Sequence, residues 1–322
     1  LFGSALDEAI NVLLKKEDLD PIQVFTKKWE KGFINNKLVD LPFSTQIVYA
    51  ASDFDKDLLK PMDLLKLSQL AEQIGWDKKE PLEHYYECES AKKTKAYKTY
   101  TEDQNKYLNY ANWLSLFRKA ELIIAAYKKE IMPKIVNVIS VQKRIELKAN
   151  DDIIEGYIDF VAEWEDGTVR VFDNKSSSRM YDEDAVENSP QLALYALHEN
   201  LQKAGFIVYL KNIEKIRSKV CTVCGHDGSD SRAKTCNSET EGKRCGGAWE
   251  ESFTPKARIQ VVLGDVNPKL EDAVLDNFNS VNDLIKREVY YKNTHACDDY
   301  YGGPCPYKAL CFKGIDKDLE IV

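Results

Sequence analysis

Apolar positions in the first part of the chain recur at helical spacing. Leu6, Ile10, Leu13 and Leu14 stripe one side of a helix that opens at Phe2. Helical periodicity returns from Asp57 to Trp76, and again from Asn105 to Ile131, where Pro133 stops it. Residues 20–60 are mixed, with a turn signal at Leu41-Pro42-Phe43. From Ile135 to Leu147 the chain reads as strand. A run rich in β-branched and aromatic residues follows, Ile153 to Trp164, then the turn signal Glu165-Asp166-Gly167, then Thr168 to Asp173. Two such runs around a short Asp-Gly loop predict a β-hairpin. Ser189-Pro190 is an N-cap and first-turn pair that starts a helix. Gly205 to Leu210 and Arg258 to Leu263 read as buried strands, and Pro268 to Glu288 as a closing helix. This mixture predicts an α/β chain with a central mixed β-sheet flanked by helices.

The hairpin carries the chemistry. With its loop near Asp166, Asp159 and Asp173 oppose one another on paired strands, and alternation puts Lys175 on the same face. Opposed carboxylates repel unless something neutralises them, and a divalent metal does so. Gln191 and Tyr195, at i and i+4, project from one face of the next helix.

This ordered set, Gly156-x-Ile158-Asp159, then Asp173-Asn174-Lys175, then Gln191-x3-Tyr195, resembles the RecB/Cas4-like branch of the PD-(D/E)XK nuclease superfamily. The resemblance implies a restriction-endonuclease-like core that hydrolyses DNA phosphodiesters with Mg²⁺ or Mn²⁺. It implies that Asp159, Asp173 and the Asn174 backbone carbonyl hold the metal, that Lys175 orients water or neutralises developing charge, and that Gln191 and Tyr195 position the strand. The family's Gly-x3-His helix falls at Gly3-Ser-Ala-Leu-Asp7, where aspartate stands in place of histidine and is a workable oxygen ligand. The activity expected is that of an exonuclease on single-stranded or end-containing DNA, in repair, recombination or phage replication. A structure-selective endonuclease and a non-catalytic DNA-binding module remain as alternatives. There is no Gly-x4-Gly-Lys-Ser/Thr phosphate loop, so unwinding would fall to a helicase or recombination partner.

The chain has 322 residues, 43% hydrophobic and 30% charged, in keeping with an ordinary soluble protein with a sizeable core. No apolar run approaches a membrane span and no signal peptide is visible, so no membrane partner and a cytoplasmic setting in a bacterial or phage-infected cell are expected. A net charge of −8 argues against a general polyanion-binding surface but leaves room for a locally basic channel. Lysines and tyrosines interleave over Lys92 to Tyr100, which reads as a single-strand path or as a solvated loop.

The eight cysteines read as metal ligands rather than disulfides. Cys221, Cys224, Cys236 and Cys245 sit in a polar excursion between two strands, which predicts a small zinc-ribbon-like insertion, with His226 as a substitute ligand. Cys297, Cys305 and Cys311 resemble the C-terminal cysteines that hold a [4Fe–4S] cluster in Cas4-, AddB- and Dna2-type nucleases. There the fourth cysteine precedes the Gly-x3-His helix, which would lie before Leu1; the chain does not open on Met. Three readings stand: a cluster completed by Cys88 or by that further cysteine, a second zinc site completed by His295, or free thiols. Residues 1–150 are expected to form the N-terminal helical part of the nuclease domain, 151–218 the catalytic hairpin and Gln-x3-Tyr helix, and 219–250 the insertion. Residues 251–322 would complete the domain with a strand, a helix and the cysteine motif.

Overall fold

The computed structural model of the chain describes residues 2–31, 54–76, 80–93, 102–149, 152–240 and 242–287. Five helices precede the sheet: α1 (Phe2–Leu14), α2 (Pro21–Lys31), α3 (Pro61–Gln73), α4 (Pro81–Lys93) and α5 (Glu102–Ala126). Three of the five begin on proline, whose fixed φ suits the first turn and whose missing N–H costs nothing there. Of the stripe expected on α1, Leu6, Ile10 and Leu14 are buried and Leu13 is partly buried against the same core. The mixed stretch after residue 20 contains α2, whose Phe25 and Trp29 stack against each other and bury against α5. The long helix predicted to Ile131 is α-helical only to Ala126; a π turn (Tyr127–Ile131) and a 3₁₀ turn containing Pro133 then lead into the sheet.

Strands β1 (Ile135–Ala149), β2 (Asp152–Trp164) and β3 (Val169–Ser177) form an antiparallel meander. Helix α6 (Pro190–Glu199) then crosses over, and β4 (Lys203–Cys221) returns parallel to β3. After the two short strands β5 (Glu239–Thr240) and β6 (Lys243–Arg244), β7 (Trp249–Asp265) pairs antiparallel with β4, and α7 (Pro268–Lys286) follows. The sheet order is β1-β2-β3-β4-β7. It is the mixed sheet flanked by helices that the sequence pattern predicts.

The sheet separates two cores. The larger packs Phe160, Phe172, Ile207 and Tyr209 against α1 to α5, and the smaller packs Val171, Val208 and Leu210 against α6. Beta-3 and β4 approach closely because Gly205 has no side chain: a Cβ there would lie 2.7 Å from the Phe172 ring and 2.9 Å from Leu263. Beyond a register shift after Leu210, β4 and β7 continue as a two-stranded arm from Glu214↔Lys256 to Cys221↔Trp249. The cysteine-rich insertion sits at the tip of that arm. No helix among the described residues is long and apolar enough to cross a membrane.

Candidate active site

The hairpin register sets the site. The ladder pairs Phe160 with Phe172, so one step further Asp159 stands opposite Asp173. There the ladder gives way to side-chain bonding: the Asn174 N–H donates to Oδ2 of Asp159 at 2.8 Å. Gln142 of β1 donates its Nε2 to Oδ1 of the same carboxylate at 3.2 Å. Lys175 Nζ lies 2.6 Å from Oδ2 of Asp173 and donates to Gln191 Oε1 at 3.0 Å. Gln191 Nε2 in turn donates to Asp173 Oδ1 at 3.1 Å and to the Tyr195 hydroxyl at 2.7 Å. Ser189 caps α6 by accepting the Leu192 N–H, which fixes where that helix starts and so where Gln191 points. Asp173, Lys175, Gln191 and Tyr195 therefore form one continuous polar chain.

Asp7 arrives from α1. It shares an open cleft of about 500 Å³ with Gly3, Gln142, Asp159, Asn174 and Lys175. Burial, then the Asp159 and Asp173 carboxylates, push Asp7 up to about 7. Burial and Asp159 push Asp173 up to about 6 against the pull of Lys175. Burial raises Asp159 too, outweighing the Asn174 N–H and the Gln142 amide. Burial works against the Lys175 ammonium, but Asp173 and Asp159 more than offset it and its pKa rises. Three carboxylates that all resist ionisation are short of positive charge, and one lysine does not balance them. Both side-chain amide atoms of Asn174, only 6% exposed, are buried without a hydrogen-bond partner. Oxygen donors, surplus negative charge and an orphaned amide fit a hard divalent cation such as Mg²⁺ or Mn²⁺.

The second cluster is at the arm tip. The sulfurs of Cys221, Cys224, Cys236 and Cys245 all lie within 4.8 Å of one another. Gly225, at φ +70°, turns the chain after Cys224 so that its N–H returns to the Cys221 carbonyl at 3.0 Å. Lys219 anchors the intervening loop, donating to the Ser231 and Ala233 carbonyls at 3.1 and 2.9 Å while lying over the Trp249 ring. The four cysteines could hold a metal without His226, which is outside the group and packs near Trp249. Cys88 is a buried thiol on α4, pushed up to about 12 by burial and Glu87. His295, Cys297, Cys305 and Cys311 lie outside the described residues, as do residues 94–100 of the lysine–tyrosine stretch.

Gln142 is the site residue that the sequence pattern does not reveal. A polar residue in a half-exposed strand carries no signal of its own; only the bond to Asp159 marks it.

A helix and a strand of the mixed sheet bring Asp7 and Asp159 to one lysine-bearing cleft, with Asp173 buried and paired with Lys175, and these oxygen donors could hold a cation. The comparison with protein families identifies the setting: the model of the PD-(D/E)XK nuclease superfamily matches residues 68–312. The chain belongs to that superfamily, whose nucleases use divalent metals. The match includes the hairpin, α6 and the four arm cysteines but not Asp7. None of the curated proteins compared with the chain matches it.

Proposed function

We propose that the chain is a DNA exonuclease of the RecB/Cas4-like branch, acting on single strands or ends, with its reaction centre in the cleft between α1 and the hairpin. One observation carries this reading: Asp159 and Lys175 line that cleft, Asp173 pairs with Lys175, Gln191 bonds both of those and Tyr195 bonds Gln191, in the order that the branch implies. Asp159 and Asp173, with the Asn174 carbonyl and Asp7, would hold the cation. Bound by these residues, a divalent ion would supply a more acidic water as nucleophile and positive charge opposite the scissile phosphate. Lys175 is placed to orient that water and to compensate negative charge in the transition state. Gln191 holds Lys175 and Asp173 in register, and the Tyr195 hydroxyl offers a polar edge to the substrate strand. Contacts of this kind grip the backbone without reading bases, so little sequence preference is expected.

The arm cysteines are assigned to structural zinc. Four thiolates about 2.3 Å from one zinc ion stand about 3.8 Å apart at the tetrahedron's edges. Cys221 and Cys245, and Cys224 and Cys236, are each 3.6 Å apart. The tip is too small and polar to build a core, so metal binding would supply its folding energy.

The test is a titration of Mg²⁺ and Mn²⁺ against labelled single-stranded DNA, with linear and closed circular duplexes in parallel. Metal-dependent cleavage of linear substrates with circles spared supports the exonuclease. Cleavage of circles would make it an endonuclease of the same fold, and metal-independent binding without cleavage would leave a DNA-binding module.

A further inference from the structure

Among the described residues, three non-glycine positions have positive φ: Lys16, Gln142 and Asn200. Lys16 follows the end of α1 and Asn200 caps α6, where left-handed residues are ordinary. Gln142, at φ +51°, lies inside strand β1. Its neighbours pair as Val141↔Phe160 and Lys143↔Ile158, so Gln142 stands opposite Asp159. At this pair both strands roll over. Phe160 and Val141 pack on the larger core, whereas Ile158 and Ile145 pack on the smaller one. In a regular strand, residues 158 and 160 would share a face. The roll turns Asp159 out of the normal alternation towards the cleft, and its carboxylate is held from both sides. Oδ1 accepts from the Gln142 amide at 3.2 Å and Oδ2 from the Asn174 N–H at 2.8 Å.

A left-handed backbone is strained for any residue with a Cβ and relaxed for glycine. What the strained position supplies here, and glycine could not, is the amide on Asp159. We infer that Gln142 is a positioning residue of the cation site: its left-handed backbone presents the side-chain amide that fixes the Asp159 carboxylate, and the cation is held more weakly without it. The inference rests on the cleft being a divalent-cation site. An outer partner that orients a ligating carboxylate typically contributes roughly 10–100-fold to metal affinity or activity.

The experiment uses the full chain, with Mn²⁺ binding followed by calorimetry and thermal melting recorded in chelator. Gln142→Gly relieves the backbone and removes the amide; Gln142→Ala removes the amide and keeps the strain. The expected result for Gln142→Gly is a melting temperature equal to or above that of the parent, with Mn²⁺ affinity reduced roughly 10–100-fold. In DNA cleavage kcat falls while KM for DNA holds. A merely structural residue would move stability and affinity together, and that pattern, or Mn²⁺ affinity unchanged in both variants, overturns the inference. The parent and Asp173→Asn serve as controls. If the parent binds no Mn²⁺, or if Asp173→Asn binds it as tightly as the parent does, the cleft is not the cation site and the underlying reading fails first.

Discussion

The backbone N–H of Asn174 points at the carboxylate of Asp159, fifteen positions earlier in the chain, and meets it at 2.8 Å. The bond holds the two strands together at the point where the ladder between them stops. It makes the spacing of Asp159 and Asp173 a property of the hairpin rather than of side-chain rotamers.

Substitution within the polar chain should separate chemistry from folding. Asp173→Asn removes a charge but keeps the shape that Gln191 packs against, and Lys175→Met keeps most of the stem. Each is expected to lower kcat by roughly 10²–10³-fold, the scale of one lost preorganised electrostatic group. For Asp173→Asn the melting temperature in chelator should be held or raised, because burying one carboxylate fewer relieves repulsion among Asp7, Asp159 and Asp173, whereas Lys175→Met should lower it by leaving the Asp173 carboxylate without its ammonium partner. Full cleavage by both purified variants would remove these residues from the reaction.

Asp7 offers a second separation. It reaches the cleft from α1, far from the hairpin in sequence, and lies beside two other carboxylates. Asp7→Ala should weaken Mg²⁺ and Mn²⁺ binding alike. Asp7→His, which exchanges a hard oxygen for an imidazole nitrogen, should retain activity and shift the preference towards Mn²⁺. Parallel metal titrations of cleavage decide this, and indifference to Asp7→Ala would mean that α1 contributes no ligand.

The hairpin was legible because its signals are local. Alternation, the Asp166-Gly167 turn and the position of Asp159 relative to Asp173 fix the register within about twenty residues, and the observed pairs follow it. Helix α6 was legible from Ser189-Pro190 for the same reason. Alpha-2 was not, because its stability comes from contacts with distant residues: Phe25 and Trp29 meet Phe2 edge-on, Phe25 packs against Phe117, and Trp29 stacks on Trp113. Gln142 was hidden for a related reason. Its backbone conformation answers to the opposing strand, and glutamine has no preference that would announce a left-handed residue. The four-cysteine grouping could be read despite irregular spacing because metal ligands need only converge in space, which the β4–β7 arm and its turns provide.

Removing metal from the arm should unfold the tip and spare the sheet. Cys236 is fully buried, and Cys236→Ser is expected to abolish bound zinc by elemental analysis and to expose the 222–248 segment to proteolysis. Circular dichroism of the strands should change little, since the cores on either side of the sheet contain no residue of that segment. Zinc retained by Cys236→Ser, or global unfolding on chelation, would contradict a local structural role.

The helical layer depends on a buried ion pair whose pH dependence has a definite sign. Asp63 accepts the Lys60 N–H at 2.9 Å at the start of α3, and also takes Arg118 of α5 in a two-point grip at 2.7 and 2.9 Å. Burial by itself would raise the Asp63 pKa, but the Arg118 guanidinium and the Lys60 N–H outweigh it, so the folded value lies below the usual 3.8. A folded-state pKa below the unfolded one means that the pair stabilises the fold fully above the unfolded value. The stabilisation is lost as pH falls through the folded value. Asp63→Asn should therefore cost about 3 kcal/mol near neutral pH, because Arg118 is left largely buried with Glu121 as its remaining partner. The gap between variant and parent should narrow as pH drops below about 4, where the parent's own carboxylate begins to protonate. Chemical denaturation at a series of pH values measures both quantities. A gap that stayed constant into acid would mean that Asp63 acts through its shape and capping bond, and that its charge contributes nothing to holding α3 on α5.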